Sequence, residues 1–442
     1  ANSNGATYVA YLFAHNAGGF GLTGTDNVVS CGSFTTDGSG NATVSLGYEP
    51  QWLLGKKSSS TGNWFLTDTM QGFTAPNPFG ADTINYLTPN TSNSEAGGDL
   101  FKRNSTGFSV VSGVAADTYI YIAIRKGPMK IPTLGTSVFG MSARTGTSAN
   151  ATVTGGQTDD AVLVKNRGSA IASLFASRLT GKGYLVTSST AAEVAAGTTI
   201  LQANPWDVMD GVKVGTTSTI TNASSNTYIN YLFKRAPSFF DEVCYTGTGS
   251  ATTQTHNLQA VPELIIVKKR NVDGTTNWYV YSAATGNTQV GILSGTNAFF
   301  ASSVYWNNTT PTSSVFSLGT GSNVNQSGTL FVSYLFATAA GVSKVGSYTG
   351  NGSTQTIDCG FGAGGARFVL IKRTDSTGDW YVYDTARGMT VLTDPYLLLN
   401  STAAETATLG SVTTVSTGFA LNATILAAIN TNAASYIFLA IA

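Results

Sequence analysis

The stretch Tyr8-Val9-Ala10-Tyr11-Leu12-Phe13-Ala14 returns four times, as Tyr119-Ile120-Tyr121-Ile122-Ala123-Ile124-Arg125, Tyr228-Ile229-Asn230-Tyr231-Leu232-Phe233-Lys234, Phe331-Val332-Ser333-Tyr334-Leu335-Phe336-Ala337 and Tyr436-Ile437-Phe438-Leu439-Ala440-Ile441-Ala442. Its copies start 111, 109, 103 and 105 residues apart. Seven positions rich in aromatic and β-branched residues read as a strand. A fixed period near a hundred residues reads as one folding unit copied in tandem.

Two further landmarks fall in order inside each interval. Gly55-Lys56-Lys57 leads to Trp64-Phe65-Leu66-Thr67-Asp68, and Ile371-Lys372-Arg373 leads to Trp380-Tyr381-Val382-Tyr383-Asp384 at the same spacing. Val267-Lys268-Lys269-Arg270 precedes Trp278-Tyr279-Val280-Tyr281, whereas Val164-Lys165-Asn166-Arg167 precedes Leu174-Phe175-Ala176, with the Trp lost. A turn and short strand follow at Ser105-Thr106-Gly107-Phe108, Thr312-Ser313-Ser314-Val315-Phe316 and Ser416-Thr417-Gly418-Phe419. Polar alternating stretches at residues 34–46 and 348–359 open their units, and no helical stripe exceeds about two turns.

The expected fold is therefore all-β, with four tandem β-sandwich or jelly-roll domains. Their expected bounds are 26–128, 129–237 (diverged), 238–341 and 342–442. Residues 1–25 supply the closing strand of a preceding repeat plus a linker, which leaves truncation and strand donation to another chain as competing explanations. Short linkers at residues 127–132, 235–237 and 339–341, two of them with proline, predict a stiff, elongated array.

Charged residues are only 10% of the 442, with 23 Lys plus Arg balancing 23 Asp plus Glu. Ser, Thr, Asn and Gly must cover the surface, and no net field draws nucleic acid or an anionic membrane. No apolar run reaches the roughly 18 residues of a membrane span. The first residues lack the basic and apolar regions of a signal peptide. Cys31, Cys244 and Cys359 are far apart and have no metal-ligand spacing, so idle thiols are expected, with no metal site and no cofactor.

Catalytic constellations are sparse. His15 and His256 are the two histidines, both expected in exposed positions. Asp68 and Asp384 share one place in their repeats, where Ser282 and Arg178 stand in the third and second, which favours acceptance of turn hydrogen bonds. Asp159, Asp160, Asp207 and Asp210 are surface-turn acids on one reading and calcium ligands on the other, and these four, Asp68, Asp384, and Asp241 with Glu242 are the candidates for a glycosidase pair. No catalytic residue is assigned. Trp64, Trp278 and Trp380 are either aromatic platforms for a ligand or anchors of their sandwich cores. Alternation puts Trp380, Val382 and Asp384 on one face and Tyr381 and Tyr383 on the other.

The run Ile371-Lys372-Arg373-Thr374-Asp375-Ser376-Thr377-Gly378-Asp379-Trp380-Tyr381-Val382-Tyr383-Asp384-Thr385-Ala386-Arg387-Gly388, with Pro395-Tyr396-Leu397-Leu398-Leu399-Asn400, resembles a concanavalin A-like sandwich domain of unknown function. That domain is repeated in tail-fibre and other appendage proteins of marine and aquatic tailed bacteriophages. The resemblance is close over residues 342–442, fair for the first and third units and poor for the second. It implies a virion-surface, extracellular location, a homotrimer, and contact with other virion proteins and with a host-surface polysaccharide or receptor. It carries no catalytic motif. The expected function is a structural, adhesive fibre or head decoration acting by multivalent contacts. The alternatives are a polysaccharide-degrading enzyme with lectin-like repeats, whose carboxylate pair would lie in the diverged unit, and a purely structural filament or surface-layer protein.

Overall fold

The computed structural model describes residues 4–79, 84–98, 100–111, 116–271, 276–390, 393–408, 410–422 and 426–442. Among these residues the chain is almost entirely strand and turn; its two α-helices, Ser303–Trp306 and Ser322–Asn325, are a single turn each. Four large antiparallel sheets follow one another, and each is opened and closed by the same pair of strands: Val29–Thr35 with Thr118–Arg125, Phe139–Thr145 with Thr227–Phe233, Phe240–Thr246 with Leu330–Phe336, and Ser343–Thr349 with Ser435–Ile441. We call them units 1 to 4. The recurrent aromatic strand always lies between the opening strand and the strand carrying the lysine, as in the order Val29–Thr35, Thr118–Arg125, Pro50–Lys57, Trp64–Asp68.

A small second sheet, such as Asn41–Ser45 with Gly107–Val111 or Gln355–Asp358 with Gly418–Leu421, covers the inner face of each large sheet. The Ser-Thr-Gly-Phe landmark explains itself here. A Cβ on Gly107 would sit 2.0 Å from the Val44 carbonyl oxygen, and one on Gly418 2.1 Å from that of Ile357, so only glycine lets the two strands close. Inward residues then fill a separate core in each sandwich, for example Tyr381, Tyr383, Phe419, Tyr436 and Phe438 in unit 4.

The other face of the large sheets in units 2, 3 and 4 is apolar as well. Leu163, Ile229 and Tyr231, Ile266, Trp278 and Val332, and Leu370, Trp380 and Ile437 meet in one shared core. The three units are joined cyclically. Lys268 of unit 3 donates to the Thr190 carbonyl of unit 2 at 2.9 Å, Lys372 of unit 4 to the Thr296 carbonyl of unit 3 at 3.0 Å, and Lys165 of unit 2 to the Ser401 carbonyl of unit 4 at 2.5 Å. Beside each lysine a backbone bond crosses the same seam: Glu193 N to Arg270 O, Phe299 N to Thr374 O, and Glu405 N to Arg167 O, all at 2.8–2.9 Å. The expected elongated array is thus corrected to a closed ring of three units. Linker stiffness and length left the angle between units open, and burial of the three outer faces decides it.

Unit 1 stands outside the ring against units 2 and 3. Ala75 N bonds Leu179 O, Arg270 donates to the Pro76 carbonyl, and Asn257 to that of Ser105. Residues 8–14 form no strand, and Tyr8, Val9, Tyr11, Leu12 and Phe13 are exposed.

Candidate binding clefts beside the ring

Where units 1, 2 and 3 meet, a buried charge cluster fixes their geometry. Glu49 accepts from Arg103 at 2.7 Å and from Arg235 at 2.6 Å; Arg235 also binds Asp241 at 2.7 Å. Burial works to raise the Glu49 carboxyl, and the Arg235 and Arg103 guanidiniums outweigh it and hold the group below its ordinary value. Asp160 binds Lys126 at 3.0 Å and the Arg235 amide at 2.8 Å. Glu242 behaves in the opposite way. One of its oxygens accepts from Ser177 Oγ, the other has no hydrogen-bond partner, and burial pushes its carboxyl up to about 8, so it keeps its proton at neutral pH.

The seam between units 1 and 2 opens into two adjoining clefts that share Thr69, Met70 and Arg178. The first is a narrow slot lined by Asn77, Lys182, Asn204 and Asp207 around Trp206. Trp206 is only 3% exposed: its indole donates to the Gly181 carbonyl at 2.8 Å, and the Arg178 guanidinium lies 5.5 Å from its ring centre. The second, with a volume of about 500 Å³, runs past Trp52, Asp68, Lys126 and the exposed Met209. Both linings expose more apolar than polar surface, from Met70, Met209 and the two tryptophans, and carry charged groups among it, Arg178, Lys182 and Asp207 in the first and Asp68, Lys126, Asp160 and Lys234 in the second. Aromatic edges beside hydrogen-bonding groups are a lining on which a sugar ring can rest.

Of the residues singled out in the sequence, Asp68 and Asp160 line the larger cleft and Asp207 the smaller, and the rest are dispersed over the molecule. Trp278 and Trp380 are 0% and 1% exposed and lie in the shared core, outside the cores of their own sandwiches. Each donates its indole N–H across a ring seam, Trp278 to Val186 O at 3.0 Å and Trp380 to Ile292 O at 2.8 Å. Trp64, in the equivalent place of unit 1, is half-buried. Strand register puts Ser173 where unit 2 has lost its Trp; Ser173 bonds Thr187, whose hydroxyl reaches Leu399 O at 2.7 Å and so replaces the indole at the third seam.

The same register corrects one alignment. Ser177, opposite Ala161 as Asp384 is opposite Phe368, is the unit 2 counterpart of Asp68 and Asp384, and Arg178 is its neighbour. The acids do accept turn hydrogen bonds, Asp68 from Met70 N and Gln71 N and Asp384 from Arg387 N. Asp384 also takes Tyr231 Oη at 2.7 Å across the seam between units 2 and 4.

Asp159 is 0% exposed and bonded to Gln157, and burial pushes its carboxyl up to about 7. Asp210 accepts the amides of Gly155, Gly156 and Gln157. Asp207 alone of the four lines the smaller cleft, 3.4 Å from Lys213. His15 is exposed, but His256 is 4% exposed, pressed on Phe316 and bonded to the Thr312 carbonyl; burial lowers its pKa. The expectation of an exposed His256 is corrected accordingly, because the strand Thr252–Thr255 ends by turning it under the sheet. All three thiols are free. Among the described residues no group of three or more His, Cys, Asp or Glu side chains is placed to hold a metal.

Comparison with protein families agrees with this layout. A family model described as Domain of unknown function (DUF7483) matches residues 1–128 and 235–442, most of the chain. The chain belongs to that family. The unmatched block falls on unit 2, the unit that has lost its Trp. Among curated proteins, none matches the chain. No helix of the described residues is long and apolar enough to cross a membrane.

Proposed function

We propose that the chain is a structural, adhesive component of a phage appendage, a tail or head fibre at the virion surface, which holds a host-surface polysaccharide or receptor without chemical conversion. The observation that carries this reading is how the charged side chains are used. The lysines of the ring seams and the Glu49, Arg103, Arg235 and Asp241 cluster join units to one another, which supports a scaffold reading and leaves the clefts between units 1 and 2, with aromatic and hydrogen-bonding groups side by side, as the surface shaped for a ligand. Rigid presentation lowers the ordering cost of each contact, and many copies on one particle multiply weak contacts into firm attachment.

The test is a glycan array probed with the full chain, then with Lys182→Ala and Asn204→Ala. Retention of a surface polysaccharide that either substitution weakens at least tenfold is the expected result. Binding that both leave intact, no retention of any glycan, or release of new reducing ends from the bound polymer would overturn it.

A further inference from the structure

The seam between units 1 and 3 holds a further cavity, apart from the two clefts beside unit 2. Its volume is about 240 Å³, space for several water molecules at about 30 Å³ each in the liquid. Unit 1 forms one wall. Arg103 lies near the end of the strand Phe101–Asn104, and Thr43 and Ser109 face each other across the small sheet. Unit 3 forms the other wall, with Cys244 and Thr246 of its opening strand and Arg270 beyond the end of the strand Leu264–Lys269. Thr43 and Thr246 are exposed and mark the mouth, whereas the two guanidinium side chains are 1% exposed each.

Hydrogen-bond donors predominate in this lining. The hydroxyls of Thr43, Ser109 and Thr246 are free to donate or accept, and Cys244 keeps its proton because burial pushes its thiol up to about 12. Among the described residues no carboxylate lines the cavity, in contrast to the clefts, which carry Asp207 in one and Asp68 and Asp160 in the other.

The two arginines are fixed by partners on either side. Arg270 binds the Glu193 carboxylate and donates to the Pro76 carbonyl at 2.6 Å. Arg103 donates from one terminal nitrogen to Glu49 at 2.7 Å and from the other to the Arg178 carbonyl at 3.1 Å. Its Nε is buried and has no hydrogen-bond partner. Glu49 is shared with Arg235, so Arg103 holds only part of one carboxylate while burial works against its charge. A buried cationic donor without an acceptor is costly, and an anion in the cavity would supply both the missing acceptor and the missing charge.

We propose that this cavity binds a small tetrahedral oxyanion, phosphate or sulfate, between Arg103 of unit 1 and Arg270 of unit 3. Donors stand on two facing walls, so the ligand must accept on opposite sides. A tetrahedral oxyanion does so, whereas a carboxylate presents carbon on one side. Hydrogen bonds from guanidinium to such an oxygen are charge-assisted and short. Held from both walls, the anion ties unit 1 to the ring. The site stands whether or not the clefts beside unit 2 hold a glycan.

Titration calorimetry of the full chain with inorganic phosphate and with sulfate tests it, alongside Thr43→Glu and Thr43→Gln. Position 43 is exposed, the two substitutions differ only in charge, and thermal melting confirms that each variant is folded. Saturable binding of one anion per native chain is expected, with Thr43→Gln within a factor of two of native and Thr43→Glu at least tenfold weaker. A general salting effect of these anions stabilises all three proteins alike and has no such stoichiometry. A further titration with glycerol phosphate separates two sources of the same chemistry. Tighter binding of inorganic phosphate makes the ligand a free ion, and tighter binding of glycerol phosphate makes it a phosphate group carried on a polyol. Absence of saturable binding, or binding to Thr43→Glu as tight as to the native chain, would overturn the proposal.

Discussion

Lys165, Lys268 and Lys372 show how one residue serves two levels of structure. Each reaches a carbonyl six to eight residues ahead in its own unit and a second in the adjoining unit, so a strand-end turn and a ring seam share one ammonium. The Lys motif was legible as a repeat, but its role was not, because sequence period says nothing about what lies across a seam. Asn222, Asn325 and Asn430 carry a weaker signal in the sequence, a single residue that precedes the first aromatic of the closing strand by six positions in each unit. They are buried and brace the opening loop, as when Asn325 donates to Ser250 O and Gly319 O.

Titration gives the prediction at this scale. The folded values of Glu242 and Asp159, about 8 and about 7, stand above unfolded values near 4, so the fold binds more protons than the open chain. Their contribution to stability is complete below about pH 4 and is lost as pH rises through 7 to 8. Glu49 and Asp160, held low, contribute in the opposite sense, and their share is lost as pH falls into the acid range. Lys165 and Lys372, pushed down to about 8 by burial, act in the opposite sense above that pH, so the melting temperature of the native chain should decline from pH 6 to about pH 7.5, and Glu242→Gln should flatten that decline. Scanning calorimetry across that range checks it; a melting temperature that rises from pH 6 to about pH 7.5 would contradict the assignment.

Among the elements, the strands were readable because alternation and β-branched content are local signals. The alternation Trp380-Tyr381-Val382-Tyr383 correctly separated two faces. Tyr381 and Tyr383 enter the core of unit 4, while Trp380 and Val382 enter the core shared with units 2 and 3. A period of two shows that both faces are apolar and cannot show what covers the second, so the tryptophans read equally as sandwich anchors or ligand platforms. Trp380→Ala removes a fully buried indole and its bond to Ile292 O, and should cost about 3–5 kcal/mol. Urea unfolding measures this, and a loss under about 1 kcal/mol would show that the indole is not enclosed. Trp206, at the cleft, carried no repeat signal because it lies in a loop of the diverged unit.

Over the whole molecule, the number of repeats was written in the sequence and their arrangement was not. Tandem β units joined by short linkers fit a rod and a ring equally well. The choice is made by contacts between residues more than two hundred positions apart, such as Arg167 with Glu405 and Lys165 with Ser401. Closure of units 2 and 4 on one another is what joins three sandwiches into one ring, and it is the ground on which the scaffold reading stands.

The most direct test is therefore at that closing seam, where Glu405 N bonds Arg167 O at 2.8 Å, a separation of backbones that a disulfide can span. In the variant Arg167→Cys with Glu405→Cys, peptide mapping without reduction should recover the two new cysteines linked within a single chain that migrates at the mass of one chain under denaturing conditions. Cysteines that stay free, or that link one chain to another, would mean that the ring does not close.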